Sequence, residues 1–390
     1  MPVQVNIRGP PNSDFVIGYP GIDATWPRIA GVVEVRSQTP GQPFKLKSLK
    51  LQLYRTEEIQ YASTIRTQKI EQSYTVGGGL HLYDAKPSAP SELYAVDLPF
   101  VYSLPLSREF PLPASMQISK QAKISYRLDV LLKELENQSQ YETAAYCPIT
   151  IVRYDNNRVF QQYLQGHSPM RESDDKVVYV TLQLDYTSFG PGDVIRIVAG
   201  ISPNPDWMHR SSKVKLQQIT AKLEEELRFN TTSDGTVSKM TTVRSHRVPL
   251  NNARIGPNGL YHEITFSVPM LDRSVRDSPV IPNNDDGIPN STISSFSTVS
   301  SLLIVNYYIS LAVKVSGCKD VEFRTPVEIT PFNMEVCASL KAPIGSAIEA
   351  AKNVTLKNPQ GTFVWANDRS ALQSLGFLKL SNGYQKVQIE

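Results

Sequence analysis

Five histidines (His81, His167, His209, His246 and His262) and three cysteines (Cys147, Cys318 and Cys337) are the side chains best suited to binding a metal or attacking a substrate. No two histidines stand in the H-E-x-x-H spacing that puts two ligands on one helical face, and no cysteine has a partner at zinc-ligand spacing. The sequence contains neither the G-x-S-x-G elbow that raises a serine nucleophile on a strained turn nor a Walker phosphate loop. Gly77-Gly78-Gly79 follows a Tyr-Thr-Val strand end, but no helix-forming stretch comes after it to lend a dipole to a phosphate. A flexible loop tip is the expectation there. Read from its reactive residues, the chain is expected not to be an enzyme, with no catalytic or metal residue and no cofactor.

Two clusters suit binding better than reaction. Lys45, Lys47, Lys50 and Arg55, with Arg66 and Lys69 beyond a loop, form a cationic stretch with few acids before Glu57 and Glu58. Such a patch could meet anionic lipid headgroups, or acidic or phosphorylated segments of a partner. It could equally be a solvated sheet face whose lysines guard against edge pairing. The polar stretch from Asp277 to Ser301 carries Ser291, Thr292, Ser294, Ser295, Ser297 and Thr298. Phosphorylation would add nearly two negative charges at each site. A bare solvated loop fits the same residues.

Composition bounds the setting. With 390 residues the chain is long enough for two domains and a tail. Its 40 basic and 37 acidic residues leave a net charge of +3, without the overall excess expected of a nucleic-acid binder. Three cysteines cannot all pair, which fits a reducing compartment. The opening residues lack the apolar core of a signal peptide. The longest apolar run, Leu302 to Val315, includes Asn306 and is too short to span a bilayer. The N-x-S/T sequons at Asn137, Asn230, Asn290 and Asn353 are therefore read as accidental, and the expected location is cytoplasmic.

The elements that must position these residues alternate with period two. Ile124, Tyr126, Leu128, Val130 and Leu132 alternate with polar neighbours. So do Val178 to Tyr186, and the long row Leu303, Val305, Tyr307, Ile309, Leu311, Val313 and Val315. Half-exposed antiparallel strands follow from this pattern, and frequent Pro and Gly mark many turns. Within Phe44 to Tyr54 the parity slips at Ser48 and Leu49, which predicts a β-bulge placing Lys45, Lys47 and Lys50 on one outer face. The segment Gln217 to Phe229 fits a helix or a strand, with Glu225 the misfit of the strand; the β context favours the strand. Gly345 to Lys352 is expected to form a short helix.

Landmarks recur along the chain. Pro20-Gly21 returns as Pro191-Gly192, Tyr126 as Tyr308 and Pro148 as Pro326, at offsets of 171, 182 and 178 residues. The fold class expected is all-β, with two tandem immunoglobulin-like antiparallel β-sandwiches over residues 1–160 and 177–345. Residues 161–176 would link them, within a polar stretch running from Tyr154 to Asp175. The apolar residues Phe363, Val364, Trp365, Leu375, Phe377 and Leu378 suggest that the tail, 346–390, packs back on the sandwiches or binds a partner.

The order of Pro-Gly turn, Gly-x-Val-x-Val strand, Phe110-Pro-Leu-Pro113, the strand at Ile124 to Leu132 and the closing strand Pro148 to Arg153 resembles the N-terminal domain of arrestins. The second half is similar to their C-terminal domain through Phe189 to Pro203, Ser212 to Leu227, His262 to Pro269, Val305 to Val315 and Thr325 to Thr330. The resemblance covers roughly residues 1–345 and points to the fungal arrestin-related trafficking adaptors, the α-arrestins. It implies an adaptor that binds cytosolic tails of membrane transporters or receptors, links them to a HECT-type ubiquitin ligase for endocytosis and sorting, and binds no nucleic acid. Such an adaptor would be recruited peripherally to the plasma membrane, Golgi or endosomes, with anionic lipid as a further partner. The PPxY motif by which the family usually docks on WW domains is absent from this sequence, whose one Pro-Pro, Pro10-Pro11, is followed by Asn12 and Ser13. Ligase recruitment would then be indirect or through a further tail. An arrestin-fold scaffold similar to the cargo-binding subunit of retromer is the alternative implied, and an unrelated pair of lectin-like sandwiches the third.

Overall fold

The computed structural model describes residues 3–11, 14–38, 42–62, 67–85, 92–106, 112–118, 120–134, 141–158, 161–231, 235–269, 295–354, 360–366, 368, 377–380 and 383–386. Its architecture is all-β, in mostly antiparallel sheets. In the N-terminal half, Arg28–Ser37 lies between Val3–Arg8 and Glu92–Ser103. The other layer centres on Phe44–Ala62, flanked by Thr67–Asp84 and Ala122–Glu134. The layers join where Phe44 and Lys45 pair with Leu93 and Glu92. Their facing apolar rows, such as Ile29, Val33 and Val35 against Leu49, Leu51 and Leu53, are fully buried.

The C-terminal half repeats the plan. One sheet orders Met170–Glu172, Val178–Leu184, Val194–Pro203 and Leu260–Ser267; the other centres on Leu303–Ser316, between Val321–Ile329 and Lys215–Thr231, with Gly235–Arg254 outermost. The central strand earns its place by its alternating row, since Leu303, Val305, Tyr307, Ile309, Leu311 and Val313 are all buried. The stretch at 161–176 carries the short helix Gln161–Leu164 and the strand Met170–Glu172, which pairs with Tyr179 to Thr181.

Local irregularities resolve physically. Gln217 to Phe229 is strand, and Glu225 is tolerated on its core side because the Tyr307 hydroxyl donates to it at 2.9 Å and the Ser295 hydroxyl donates beside it. The register slips between Leu46 and Ser48, so that Ser48 and Leu49 are both buried. Gly77 to Gly79 do not form a loop tip. They lie inside the strand Thr67–Asp84, bulged opposite Gln52 between the pairs Leu53–Val76 and Leu51–Leu80. Glycine is favoured at Gly77, whose φ of 69° lies in the left-handed region.

The short helix expected at Gly345 is the end of an 18-residue helix, Met334–Ala351. Asn333 caps it, its side-chain oxygen accepting the Val336 N–H at 2.9 Å. Pro343 lies inside the helix and obscures it in the sequence. Val336, Cys337, Leu340 and Ile344 pack with Ile22 and Phe332, tying the helix to the N-terminal half. After it, Thr362–Trp365 pairs with Leu93 to Asp97, and Phe363 stacks on Trp365 at 5.3 Å.

On the outer face of the C-terminal sheet, Glu226 accepts from Arg228, Asn306, Tyr308 and Ser238 at 3.0–3.1 Å. Burial pulls its carboxyl up, but these donors together outweigh it and hold the pKa at about 2. A depressed carboxyl contributes stability above its unfolded pKa, and loses it as pH falls through the folded one. Wild type is therefore expected to exceed Glu226→Gln in urea midpoint near about pH 5, and to lose that margin progressively toward about pH 2. A margin independent of pH would contradict the assignment.

Candidate functional site: a sealed junction and its charged faces

The structure divides the basic residues of the first half. Lys45, Lys47 and Lys50 lie beside the bulge, with Lys47 exposed and the other two half-buried. Lys45 approaches Glu92 at 4.0 Å. Lys133, opposite Ser48, joins Lys47 and Lys50 at this end of the sheet. Lys69 lies farther along, paired with Glu58 at 3.1 Å and Glu71 at 3.6 Å. Arg66 falls outside the described residues. Arg55 departs from the patch altogether, because past the bulge it falls on the core-facing row of its strand.

That position makes Arg55 part of the contact between halves. Its guanidinium lies 2.9 Å from Glu57 Oε1, donates to the Ser301 hydroxyl at 3.1 Å and stacks over Tyr74. The Glu57 side chain has no exposure. Its carboxylate accepts the Leu302 N–H at 2.7 Å, the Ser301 N–H at 3.4 Å and the Ser300 hydroxyl at 3.0 Å. Tyr61 stacks on Phe229 at 6.4 Å beside this lock, and the Phe296 N–H points to Met116 Sδ at 3.5 Å. A buried charge is tolerable only when paired and hydrogen-bonded, and Glu57 meets both conditions.

A second lock sits under the helix. Arg158 is 7% exposed, donates to the Ser188 carbonyl and lies over the rings of Tyr186 and Phe189. It approaches Asp193 at 3.5 Å. Asp193 accepts the Gly190 N–H at 2.8 Å and, through its other oxygen, the Met334 N–H at 2.9 Å, which holds the helix start in place. Tyr154 stacks on Phe332 and meets Tyr19 edge-on, both at 4.9 Å. The polar stretch beginning at Tyr154 is thus packed where it leaves the first half.

The Ser/Thr cluster also differs from the expectation of a solvated loop. Ser295, Ser297 and Thr298 are buried. Ser295 hydrogen-bonds with Glu225 and Tyr307, and the Ser297 hydroxyl accepts the Ile329 N–H at 2.9 Å. A phosphate on any of the three would have to break the packing around it. Ser291, Thr292 and Ser294 lie outside the described residues.

Among the described residues no three His, Cys, Asp or Glu side chains are grouped to hold a metal. Burial pushes the Cys318 and Cys337 thiols up to about 11, away from the thiolate that reacts. No helix among the described residues is long and apolar enough to cross a membrane. Glu57, Arg158 and Asp193 were not singled out in the sequence. For Glu57 a signal existed, since continuing the parity of Leu49, Leu51 and Leu53 puts Arg55 and Glu57 on the apolar row with Ile59 and Tyr61.

No curated protein matches the chain. Residues 174–334 match the family model of the arrestin (or S-antigen) C-terminal domain, a span from just before the strand Val178–Leu184 to the first residue of the helix. The second half is thus similar to an arrestin C-terminal domain, and the first half shows the same two-layer plan.

Proposed function

We propose that this protein is a cytosolic adaptor that binds the cytosolic segments of integral membrane transporters or receptors and links them to ubiquitin-dependent endocytosis and sorting. The observation that carries the reading is the arrestin C-terminal domain match over residues 174–334. The two sealed junctions support it, because a body that works by pairing surfaces needs those surfaces held in fixed relation. Fold alone does not dictate function, so the reading stands or falls by cargo. Ubiquitin-remnant proteomics on cells with and without the chain tests it. Loss of the chain is expected to lower ubiquitination of particular transporters or receptors and to raise their surface level. Unchanged ubiquitination and abundance of every integral membrane protein would contradict it.

Within this reading, the end of the sheet carrying Lys47 and Lys50 faces anionic headgroups. Each charge near such a surface contributes about 1 kcal/mol. Lys47→Glu with Lys50→Glu is expected to weaken cosedimentation with phosphatidylserine vesicles by roughly tenfold or more, and Lys69→Glu much less, since Lys69 is already paired. Equal effects of the two changes would remove the headgroup role.

A further inference from the structure

The outermost strand of the C-terminal half, Gly235–Arg254, is 20 residues long and hydrogen-bonded along one side only, to Lys215–Thr231. Most of it is exposed, and none of it is fully buried. Its sequence, GTVSKMTTVRSHRVPLNNAR, contains no acidic residue. Lys239, Arg244, Arg247 and Arg254 are all exposed and, among the described residues, none is paired with a carboxylate. The register deepens the oddity. Lys239, Arg244 and His246 stand directly opposite Leu227, Leu223 and Ala221, so they occupy the continuation of the buried row. A strand made only to extend the core would carry apolar residues there. This one extends past the core, with cations on both of its faces.

Guarding the edge against aggregation is the ordinary use of charge on an outer strand. The corresponding strand of the first half, Thr67–Asp84, manages with mixed charge: Lys69 is paired with Glu58 and Glu71, and His81 lies 3.7 Å from Asp84. Guarding therefore does not require a single sign. A long open edge with unpaired cations on both faces matches an extended ligand of opposite charge, which would supply backbone hydrogen bonds to the edge and carboxylates to the flanks.

We infer that the open edge between Val237 and Val248 binds an acidic, extended segment of a partner protein, which adds to the sheet as a further strand. Pro249, which has no N–H to donate, marks the far limit of the pairing. The inference rests on the adaptor reading only for what the partner is, since the segment would belong to the cargo. Strand addition itself is measurable without any cargo.

The test is fluorescence anisotropy of the full chain with a labelled short peptide of alternating glutamate and valine. Two control peptides accompany it, one with lysine in place of glutamate and one methylated on alternate backbone nitrogens. The acidic peptide is expected to bind in a salt-sensitive manner and to protect amides within 237–248 from hydrogen exchange. The lysine peptide should not bind, and methylation, which keeps the charge but removes the strand's donors, should weaken binding about tenfold or more. Lys239→Glu with Arg244→Glu should do the same. Equal binding of the methylated peptide would overturn strand addition, whatever the variant does. Binding to anionic vesicles but to no peptide would make the strand a lipid face instead, and binding to neither would leave it an edge guard; both outcomes overturn the inference. Recovery of no membrane cargo from cells would refute the adaptor reading while leaving the anisotropy result intact.

Discussion

Glu57→Ala is expected to cost about 3–5 kcal/mol, read as a fall in urea midpoint, because it leaves a buried guanidinium without its counter-ion. Arg55 has only 15% of its side chain exposed, so water cannot replace the lost carboxylate. The same change orphans the Leu302 and Ser301 N–H groups and the Ser300 hydroxyl. Removing Arg55 as well should recover part of the loss, since the uncompensated charge then disappears. Amides of residues 301–303 should exchange faster in Glu57→Ala, because the junction opens where its acceptor has gone. Breaking the exposed pair by Lys69→Ala should change stability by less than about 1 kcal/mol. A loss that small for Glu57→Ala would mean the halves are not held together at this point.

Gly190→Ala is expected to be comparably severe, for a steric reason. A Cβ at this position would lie 2.0 Å from the Phe332 carbonyl oxygen, 2.2 Å from its carbonyl carbon and 2.4 Å from the Asn333 nitrogen. All three are backbone atoms at the start of the helix, so no side chain can swing away. Relief would require the helix start to move, which would break the Met334 N–H bond to Asp193 and lift Phe332 from Tyr154. Overpacking costs about 1–3 kcal/mol and occasionally more, and three backbone clashes with no side chain to yield put this change at the upper end. Limited proteolysis should show early cleavage before Met334 in the variant, with the sheets of the C-terminal half still intact. Wild-type proteolysis and stability would show that the helix is not docked as described.

The fold was legible because alternation is a direct record of which face is buried. The row Leu303 to Val313 announced a strand with one buried face, and the parity slip at Ser48 and Leu49 announced a bulge. The ambiguity at Gln217 to Phe229 was real in the sequence, for Glu225 breaks the strand pattern until Tyr307 and Ser295 arrive from elsewhere to satisfy it. The long helix was hidden by Pro343, and the three glycines looked like a turn because a bulge and a turn use the same residue. Sites were harder to read. Which lysines stay free depends on partners remote in sequence, as Lys69 shows, and the burial of Ser295 to Thr298 depends on strands that pair across the sheet. The basic strand Gly235–Arg254 was present in the sequence as a long acid-free run, but its open edge exists only in the assembled sheet.

The claim that this protein works by gathering membrane cargo is tested most directly by purifying the chain from its own cells after gentle crosslinking and identifying what comes with it by mass spectrometry. Plasma-membrane transporters or receptors together with a HECT-type ubiquitin ligase are the partners predicted. Coat or sorting subunits without a ligase would contradict ubiquitin linkage and favour a retromer-like scaffold, and recovery of neither class would contradict the adaptor role itself.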